Sequence, residues 1–515
     1  MEEAGTSLAD LVRAAARHRP EAPAVVAGDE RLSWAELDAA VDRAAAGFAA
    51  HGLAPGDRVA IQLPNGLSWL RAALGALRAG LVVVPVNTAY TDPELEYVLT
   101  DSGAALFVTR TIREPVAGVP VQAGPPEADG PAPEVAVDPV APSFLAYTSG
   151  TTGRPRGAIL TAAALRANQE QCLAMTPPVV REDDRVLLVL PLFHVYGLNA
   201  GFGLVAATGA CAVLQETFDP RASLALMAEE HVTAVPGAPP MYQAWLATAD
   251  ALDSDTELRR GFAAMRMASS GAAPLPEDVW TAMRDRAAVT VWEGYGLTEA
   301  SPVVASTLAT GRAKPNCIGG PLPGVELELR DTATTEDAQE GHADEDLEEG
   351  PGEIWVRGAN LFAGYWPDGA DGPGPDGWLG TGDLAYHDAD GDLHLVDRRS
   401  DLVLVSGFNV YPAEVERVLE SHPAVAESAV IGVPDPRTGA AVRAVVVVRP
   451  GEQLTFEELR AHAAESLARY KVPTSVHFLP ALPHSLTGKV SRARLRELGL
   501  TGQDAAEEAG VAADG

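Results

Sequence analysis

A segment rich in glycine and hydroxyl side chains runs from Tyr147 to Gly157 and reads YTSGTTGRPRG. It follows the apolar residues FLA and precedes AILTAAAL, so we expect a loop between a strand and a helix. Glycines let successive backbone amides turn inward and hydroxyls add further donors, so such a loop can enclose phosphate oxygens. The Walker pattern, GxxxxGK followed by Ser or Thr, is absent from these residues. By composition alone, a hydroxyl-rich turn is more often structural.

Two acidic residues stand in settings that suit nucleotide chemistry. Glu299, in YGLTE, is a single carboxylate among small and apolar residues. Mg²⁺ bound to a triphosphate keeps several waters and needs only one or two protein carboxylates. Taken alone, a Glu at the start of a helix more often faces the helix dipole. Asp383, in GTGDLA, follows two glycines and predicts a turn into a strand, where an isolated Asp is usually structural.

Two basic side chains are also candidates. His194 lies in the apolar segment PLFHVYG, where a lone histidine is usually a hydrogen-bonded core residue. Lys489 lies in LPHSLTGKVSR and is one of three lysines in a chain with 38 cationic residues. A lysine ammonium is a compact point charge, whereas the guanidinium of arginine is a broad, planar group. A solvated surface lysine is the alternative interpretation.

Eight motifs, in order along nearly the whole chain, resemble the adenylate-forming superfamily, which includes acyl-CoA synthetases, aryl-CoA ligases, luciferases and peptide-synthetase adenylation domains. The resemblance points to the acyl-CoA synthetase branch. The matching segments are LSWAELDAAVDRAA with GDRVAIQLPN, the loop YTSGTTGRPRG, PLFHVYG, SSGAAPL, YGLTE, GWLGTGDLA, VDRRSDLVLVSGFNVYPAEVE and LPHSLTGKVSR.

The resemblance implies a nucleotide site. It assigns catalysis to Lys489, Glu299, Thr298 and His194, and the metal to Glu299 and Thr148. Asp383 would accept the ribose hydroxyls, and the small residues of SSGAAPL would face adenine. The implied ATP and AMP contacts are Thr148, Ser149, Gly150, Thr151, Thr152, Gly153, Arg156, Gly271, Ala272, Ala273, Glu293, Gly294, Tyr295, Gly296, Thr298, Asp383, Arg398 and Lys489.

The resemblance also implies sites for the acid and the thiol. The acyl pocket would be lined by His194, Val195, Tyr196, Tyr242, Gly271 and Gly296. CoA would contact Ser406, Gly407 and Phe408, and the C-terminal domain would rotate about a hinge at Ser400. Amino-acid-activating relatives carry an Asp in the segment that reads PLFHVYG here. Its absence disfavours amino acids as substrates.

Three features of the sequence depart from the family pattern. The phosphate loop ends in Arg156 where the family usually has Lys, which keeps the charge. The hinge position holds Ser400 instead of Asp or Lys. Basic positions that contact nucleotide or CoA in plant aryl-CoA ligases read Thr217, Leu404 and Ser406. We therefore expect the CoA contacts to differ in part.

The elements around these motifs predict an α/β protein with a large multi-layer N-terminal domain. From Leu8 to about Pro323, apolar runs alternate with Ala- and Leu-rich helical stretches, which is typical of α/β layers. The Pro- and Gly-rich segment 114–142 predicts a surface connection between two α/β subdomains. Short alternating strands from Val325 predict a small β-rich subdomain, with a hairpin turn at Asp390-Gly391.

The remaining chain predicts a small, mobile α+β C-terminal domain. The acidic segment 331–352, which precedes it within the β-rich subdomain, predicts a mobile loop. We place the AMP-binding domain at residues 1–398, the mobile domain with Lys489 at 399–500, and a disordered acidic tail at 501–515.

Composition narrows the class of protein. The formal net charge of −33 argues against nucleic acid as a partner. Three cysteines without CxxC spacing fit a reducing compartment, and the acidic N-terminus lacks the apolar run of a signal peptide, so we expect a cytoplasmic protein. The uncharged stretch Val186–Leu214 is interrupted by Pro191, His194, Asn199 and four glycines, which predicts buried strand, loop, helix and strand and no transmembrane segment.

The function that the resemblance implies is ATP- and Mg²⁺-dependent conversion of a carboxylic acid to acyl-AMP, followed by transfer to CoA. VPGAPPMYQAW supplies an apolar helix wall, and no partner for an amine or second carboxylate is visible, so a medium- or long-chain fatty acid is favoured. An aryl or cinnamate-type acid is the runner-up, and a fatty acyl-AMP ligase that loads a carrier protein is a further alternative. A non-catalytic nucleotide or acyl-adenylate binder would be expected to lack Lys489, Glu299 or Asp383, and all three are present. Monomer and homodimer both remain open.

Overall fold

The computed structural model describes residues 6–148, 155–330, 351–398, 402–405, 408–435, 438–484 and 490–495. Most of the acidic segment 331–352 and the tail 501–515 lie outside these ranges. So do the predicted site residues Ser149, Gly150, Thr151, Thr152, Gly153, Ser400, Ser406, Gly407 and Lys489. The roles assigned to them stay predictions.

The helices of the described ranges begin and end as follows. They are α1 Leu8–His18, α2 Trp34–Ala50, α3 Leu67–Arg78, α4 Asp92–Ser102, α5 Ala162–Leu173, α6 Leu204–Thr208, α7 Pro220–Glu229, α8 Pro239–Ala251, α9 Thr256–Gly261, α10 Glu277–Ala287, α11 Thr307–Thr310, α12 Pro412–Glu420, α13 Phe456–Ser466 and α14 Arg492–Leu495. A π-helix spans Tyr196–Gly203 and a 3₁₀-helix spans Thr298–Ala300.

The strands follow the apolar runs of the sequence. They are β1 Pro23–Ala27, β2 Glu30–Ser33, β3 Arg58–Gln62, β4 Val82–Pro85, β5 Ala104–Thr109, β6 Val121–Ala123, β7 Pro142–Thr148, β8 Arg156–Thr161, β9 Arg185–Leu188, β10 Cys211–Leu214, β11 Ala234–Gly237, β12 Met267–Ser270, β13 Val291–Gly296, β14 Val303–Ser306, β15 Gly320–Pro321, β16 Glu326–Arg330, β17 Gly352–Arg357, β18 Leu379–His387, β19 Leu393–Arg398, β20 Val403–Val405, β21 Phe408–Val410, β22 Val425–Asp435, β23 Gly439–Val448 and β24 Ser475–Phe478.

The described strands form four sheets. The largest has the order β15-β14-β13-β12-β11-β9-β10-β1-β2, and its central strands from β13 to β1 run parallel. A second sheet has the order β6-β5-β3-β4-β7-β8 and is parallel except at its β7–β8 edge. The other two have the orders β16-β17-β18-β19 and β21-β20-β23-β22, with β24 beside β23. The α/β class is confirmed, with a large N-terminal and a small C-terminal domain.

Local sequence signals set several helix starts. Ser33 caps α2, because its hydroxyl accepts from the Glu36 amide while the Glu36 carboxylate accepts from the Ser33 amide. Ser7 with Asp10 does the same for α1. Helices α1 to α3 then bury their apolar faces, and Trp34 and Trp69 are fully buried. Burial of a large apolar side chain stabilises a fold by about 1.5–3 kcal/mol.

The chain divides into two compact units, residues 1–327 with 356–379 and residues 328–355 with 380–515. This division differs from the predicted boundary at residue 398, which stays a prediction. In the first unit, strands β9 to β13 and helices α7 to α10 enclose a core that includes Leu187, Val235, Trp245 and Met283. The stretch Val186–Leu214 is almost entirely buried, as predicted. Within the described ranges, no helix combines the length and apolar character needed to cross a membrane.

Candidate active site

Four motif segments follow the carboxyl ends of neighbouring parallel strands. In the order β9, β11, β12 and β13, the strands are adjacent in the largest sheet. They lead to His194, to α8 with Tyr242, to Gly271 and to Glu299, respectively. The carboxyl ends of parallel strands meet at one edge, where open α/β sheets bind ligands. The topology therefore places these four segments at a single edge.

His194 lies in the turn before the π-helix. Its Nδ1 accepts a hydrogen bond from the Tyr196 amide at 3.2 Å, and its carbonyl accepts from the Leu198 amide at 2.9 Å. Because Nδ1 is an acceptor, the hydrogen of the neutral ring lies on Nε2. Turns with π-helical bonding occur frequently at functional sites.

The hydroxyls of two tyrosines form hydrogen bonds with the carboxyl-terminal residues of β11 and β12. The Tyr196 hydroxyl donates to the Gly237 carbonyl at 3.2 Å, and the Tyr242 hydroxyl donates to the Ser269 carbonyl at 2.7 Å. A Cβ atom on Gly271 would lie 3.1 Å from the Tyr196 ring, so glycine lets the ring pack against this loop. Burial raises the pKa of Tyr196 to about 12 and the pKa of Tyr242 well above its ordinary value. Both phenols are therefore neutral hydrogen-bond donors.

Glu299 lies on the 3₁₀-helix that follows β13. Its Oε1 accepts a hydrogen bond from the Tyr365 hydroxyl at 2.5 Å, and its carbonyl accepts from the Phe362 amide at 2.9 Å. Burial and the nearby Glu299 carboxylate raise the pKa of the Tyr365 phenol above its ordinary range. The phenol therefore stays protonated and donates to the carboxylate.

The phosphate loop connects two strands. Thr148 ends β7 and Arg156 begins β8, and the two residues are paired in an antiparallel register. The prediction of a loop between a strand and a helix is therefore wrong. The apolar residues after Gly157 complete the sheet edge as β8, and α5 begins only after Thr161, whose hydroxyl accepts from the Ala164 amide. Phosphate binding here would rely on donors of the loop, without a helix N-terminus directly behind it.

Both described ends of this loop approach Tyr365. The Arg156 guanidinium carbon lies 3.9 Å from the centroid of the Tyr365 ring, and its Nη1 lies 2.8 Å from Oδ2 of Asp371. The Thr148 hydroxyl lies near the Tyr365 phenol. The Thr148 oxygen is buried, and no residue in the described ranges gives it a hydrogen bond of good geometry.

These oxygens fit a magnesium ion. A buried hydroxyl that lacks a partner costs about 1–3 kcal/mol, so a ligand that satisfies it gains free energy. Hydroxyl and carboxylate oxygens are ligands that Mg²⁺ accepts, together with water and phosphate. The Thr148 hydroxyl and the Glu299 carboxylate therefore form a donor set that suits the metal, close to the end of the phosphate loop.

Two family models match the chain. The AMP-binding enzyme model matches residues 12–366, and the AMP-binding enzyme C-terminal domain model matches residues 414–489. The chain belongs to the AMP-binding enzyme family.

Relatives agree with this assignment. A feruloyl-CoA synthase of Amycolatopsis sp. is 38% identical over 93% of this chain and 96% of its own length. A long-chain-fatty-acid–CoA ligase of Yersinia pestis is 35% identical over 96% of this chain and 94% of its own. ATP-bound MatB from Rhodopseudomonas palustris superposes with a TM-score of 0.83, at 31% identity over 96% of this chain and 99% of that structure. This AMP-binding enzyme is an AMP-forming acid–thiol ligase that uses ATP, Mg²⁺ and CoA.

In this AMP-binding enzyme, the buried Glu293 side chain is hydrogen-bonded to the end of the SSGAAPL loop. Its Oε2 accepts from the Leu275 amide at 3.1 Å, and only 4% of the residue is exposed. Ala272 in this loop has a left-handed φ of 72°. Burial raises the pKa of Glu293 to about 7, although backbone hydrogen bonds from Leu275 and Asn316 oppose the shift. The carboxyl group therefore supports the loop, and direct contact of Glu293 with nucleotide stays a prediction.

Replacing Glu293 with glutamine should flatten the dependence of stability on pH. The pKa of Glu293 in the folded protein lies above the ordinary value of 4.5. As pH rises from about 4.5 to 7, the carboxyl group therefore ionises in the unfolded chain but stays protonated in the folded one, and the free energy of unfolding of the parent falls. Between pH 5 and 8 this loss is roughly 2–3 kcal/mol, and the glutamine variant should lack it. Urea unfolding followed by tryptophan fluorescence measures the difference. Parallel profiles for the variant and the parent would contradict the assignment, and exposed Glu170→Gln should retain the parent's profile.

The second unit holds the predicted ribose contact. Asp383 lies inside β18 and not in a turn before it, because the strand already begins at Leu379 and its pairing with β19 begins at Asp383. It is 8% exposed, and its amide donates to the Thr381 hydroxyl at 3.1 Å. Arg398 stands opposite Asp383 in the β18–β19 register. The ladder thus places side by side the two residues that the motif analysis paired.

Of the predicted residues in the first unit, the structure brings together Thr148, Arg156 and Glu299, and separately His194, Tyr196, Tyr242 and Gly271. Gly296 lies against the backbone of Pro302, and a Cβ at this position would be only 2.2 Å from the Pro302 carbonyl oxygen, so the position requires glycine. In the second unit, Phe408 and Leu404 lie on the paired strands β21 and β20. Tyr365 was not among the residues predicted from the sequence, although its segment GYWPDG carries an aromatic hydroxyl between a glycine and a tryptophan.

Proposed function

We propose that this enzyme activates a carboxylic acid as its acyl-AMP and transfers the acyl group to CoA. The observation that carries the proposal is the convergence of Thr148, Arg156 and Glu299 on Tyr365, from three elements of the first unit. A hydroxyl, a guanidinium and a carboxylate at the end of a glycine-rich loop suit a metal-bound triphosphate.

In the first half-reaction, a carboxylate oxygen attacks the α-phosphorus of ATP, and the bond to the bridging oxygen breaks to release pyrophosphate. Glu299 and Thr148 would hold a magnesium ion, which would supply positive charge against the triphosphate. Arg156 contributes a further positive charge at the end of the loop, and Lys489 bridges the acyl carboxylate and the α-phosphate. Such preorganised charges act without reorganisation at the moment of reaction.

In the second half-reaction, the CoA thiolate attacks the acyl carbon and AMP leaves with the bonding electron pair. The C-terminal domain rotates about Ser400, so that Lys489 withdraws and Ser406, Gly407 and Phe408 line the path of the pantetheine arm. The ribose is held by Asp383, with Arg398 as a second nucleotide contact. Both half-reactions use one acyl pocket.

For the acid, the packing behind the pocket favours a compact aromatic substrate over the fatty acid that the sequence analysis favoured. Tyr242 and Trp245 are fully buried, and Trp245 makes edge-to-face contacts with Tyr242, Phe218 and Phe262 at centroid distances of 5.2–5.6 Å. Close packing of this kind resists the entry of a long alkyl chain. The Tyr196 ring beside Gly271 offers a surface on which a flat ring can pack.

A medium- or long-chain fatty acid is the second candidate, because α8 presents a largely apolar face and the Yersinia pestis relative is named for such an acid. The feruloyl-CoA synthase relative supports the aryl candidate.

A panel of acids tests both the activity and the substrate class. Pyrophosphate release and thioester formation should be measured with ferulate, 4-coumarate, benzoate and saturated acids of about eight to sixteen carbons. We expect kcat/KM for the cinnamate-type acids to exceed that for the long-chain acids by on the order of tenfold or more, which corresponds to about 1.4 kcal/mol. The reverse order would favour the fatty acid. Absence of acid-dependent pyrophosphate release across the panel would contradict the proposed activity.

A further inference from the structure

The segment 362–366 is held by backbone hydrogen bonds on two sides. It exchanges hydrogen bonds with Gly157 and Ile159 of β8 at 2.8–3.0 Å. On the other side, the Phe362 amide donates to the Glu299 carbonyl at 2.9 Å. The segment therefore joins the strand that follows the phosphate loop to the short helix that carries Glu299.

A tight turn fixes the backbone at Tyr365. The Tyr365 amide donates to the Ala370 carbonyl at 2.9 Å, and the Tyr365 carbonyl accepts from the Gly369 amide at 2.8 Å. Gly364 has φ of +94°, and a Cβ there would lie 2.0 Å from the Gly369 carbonyl oxygen. Only glycine fits this close approach, so the direction of the neighbouring tyrosine is strongly restricted.

The Tyr365 side chain then meets three groups that the phosphate chemistry needs. Its hydroxyl donates to Oε1 of Glu299 at 2.5 Å, and the Thr148 hydroxyl lies nearby. The Arg156 guanidinium carbon lies 3.9 Å from the centroid of the Tyr365 ring, which is a cation–π contact. Phe362 packs edge-to-face on the same ring, with centroids 5.0 Å apart. One side chain thus links the described ends of the phosphate loop with the predicted metal ligand.

We propose that Tyr365 is a positioning residue that orients the Glu299 carboxylate for the metal–nucleotide complex and supports Arg156 at the end of the phosphate loop. The inference rests on the proposed function. The phenol donates a hydrogen bond to one oxygen of the Glu299 carboxylate, so the other oxygen would be available to the metal. This orientation matters because Mg²⁺ tolerates little departure from octahedral geometry. Hydrogen-bond partners of this kind typically contribute 10- to 100-fold to metal affinity or activity.

The variant Tyr365→Phe removes the hydroxyl and keeps the ring under Arg156. Mn²⁺ serves as the probe, in the presence of an ATP analogue with a methylene bridge between the α- and β-phosphates, and electron paramagnetic resonance measures free Mn²⁺. We expect Mn²⁺ affinity to fall by about tenfold. The Mg²⁺ concentration for half-maximal adenylation should rise by a similar factor, while thioester formation from supplied acyl-AMP and CoA should stay within twofold of the parent.

Two further variants separate this role from a general structural one. Asp371 is exposed and pairs with Arg156. Asp371→Asn removes this charge but leaves the hydrogen bond from Tyr365 to Glu299 in place, so Mn²⁺ affinity should change by less than twofold. In a Glu299→Ala background, Tyr365→Phe should cause no further loss of Mn²⁺ affinity.

Unchanged Mn²⁺ affinity in Tyr365→Phe, or an equal additional loss in the Glu299→Ala background, would overturn the proposal. Failure of the proposed function would look different. The parent protein would then release no pyrophosphate with any acid, whereas the comparison of Mn²⁺ affinities would still be measurable.

Discussion

Replacing Lys489 with alanine should nearly abolish formation of acyl-AMP and leave its conversion to thioester almost intact. In adenylation the ammonium is expected to bridge the acyl carboxylate and the α-phosphate, and a preorganised charge contact of this kind contributes about 3–4 kcal/mol, or roughly 10²–10³ in rate. In the thioester-forming arrangement that we propose, the C-terminal domain is rotated and Lys489 takes no part in the reaction. Pyrophosphate release from acid and ATP measures the first step, and thioester formation from supplied acyl-AMP and CoA measures the second.

Matched variants keep this test specific. Lys471 lies in the same C-terminal region and pairs with Glu414 at 2.7 Å, so Lys471→Ala removes a charge without touching the predicted chemistry and should retain both rates. Lys489→Arg should rescue poorly, because the guanidinium is larger and its donors diverge. Normal acyl-AMP formation by Lys489→Ala, or equal loss of both steps, would exclude the two-arrangement mechanism for this enzyme.

Replacing Glu299 with alanine should slow adenylation by on the order of tenfold or more and raise the Mg²⁺ concentration needed for half-maximal rate. The variant removes a predicted ligand of Mg²⁺, so the cation that would neutralise the charge developing on pyrophosphate would be held less firmly. It also leaves the Tyr365 hydroxyl without its acceptor. Initial rates of pyrophosphate release at a series of Mg²⁺ concentrations measure the effect.

Glu170 provides the control for Glu299. It is an exposed carboxylate on α5 that pairs with Arg166, and Glu170→Ala should keep the parent's dependence on Mg²⁺. A Glu299→Ala variant with parental rates at limiting Mg²⁺ would rule out Glu299 as the metal ligand. A lower rate with an unchanged Mg²⁺ requirement would indicate a structural effect on the loop.

The class of fold and the segments that carry the candidate chemistry can be predicted from local sequence patterns. Alternation of apolar runs with helical stretches is a local property, and β9 to β13 with their intervening helices appear where that pattern predicts them. Glu299 and the ends of the phosphate loop were found from motifs whose residue types are set by phosphate and metal chemistry. His194 follows β9 and Gly271 follows β12, two parallel strands on either side of β11, so both residues lie at the same edge of the sheet.

The surroundings of those residues were decided by tertiary structure. Tyr365 is 66 residues from Glu299 in sequence, and no local pattern signals their hydrogen bond. The strand at Arg156–Thr161 forms because its backbone completes a sheet edge against β7, which outweighs the local expectation of a helix. The aromatic packing around Tyr242 joins Trp245 of the same helix to Phe262, which follows α9. A motif specifies which groups can react. Long-range packing decides which oxygens, rings and charges lie beside those groups, because the contacts join segments that are far apart in sequence and whose local patterns carry no information about one another.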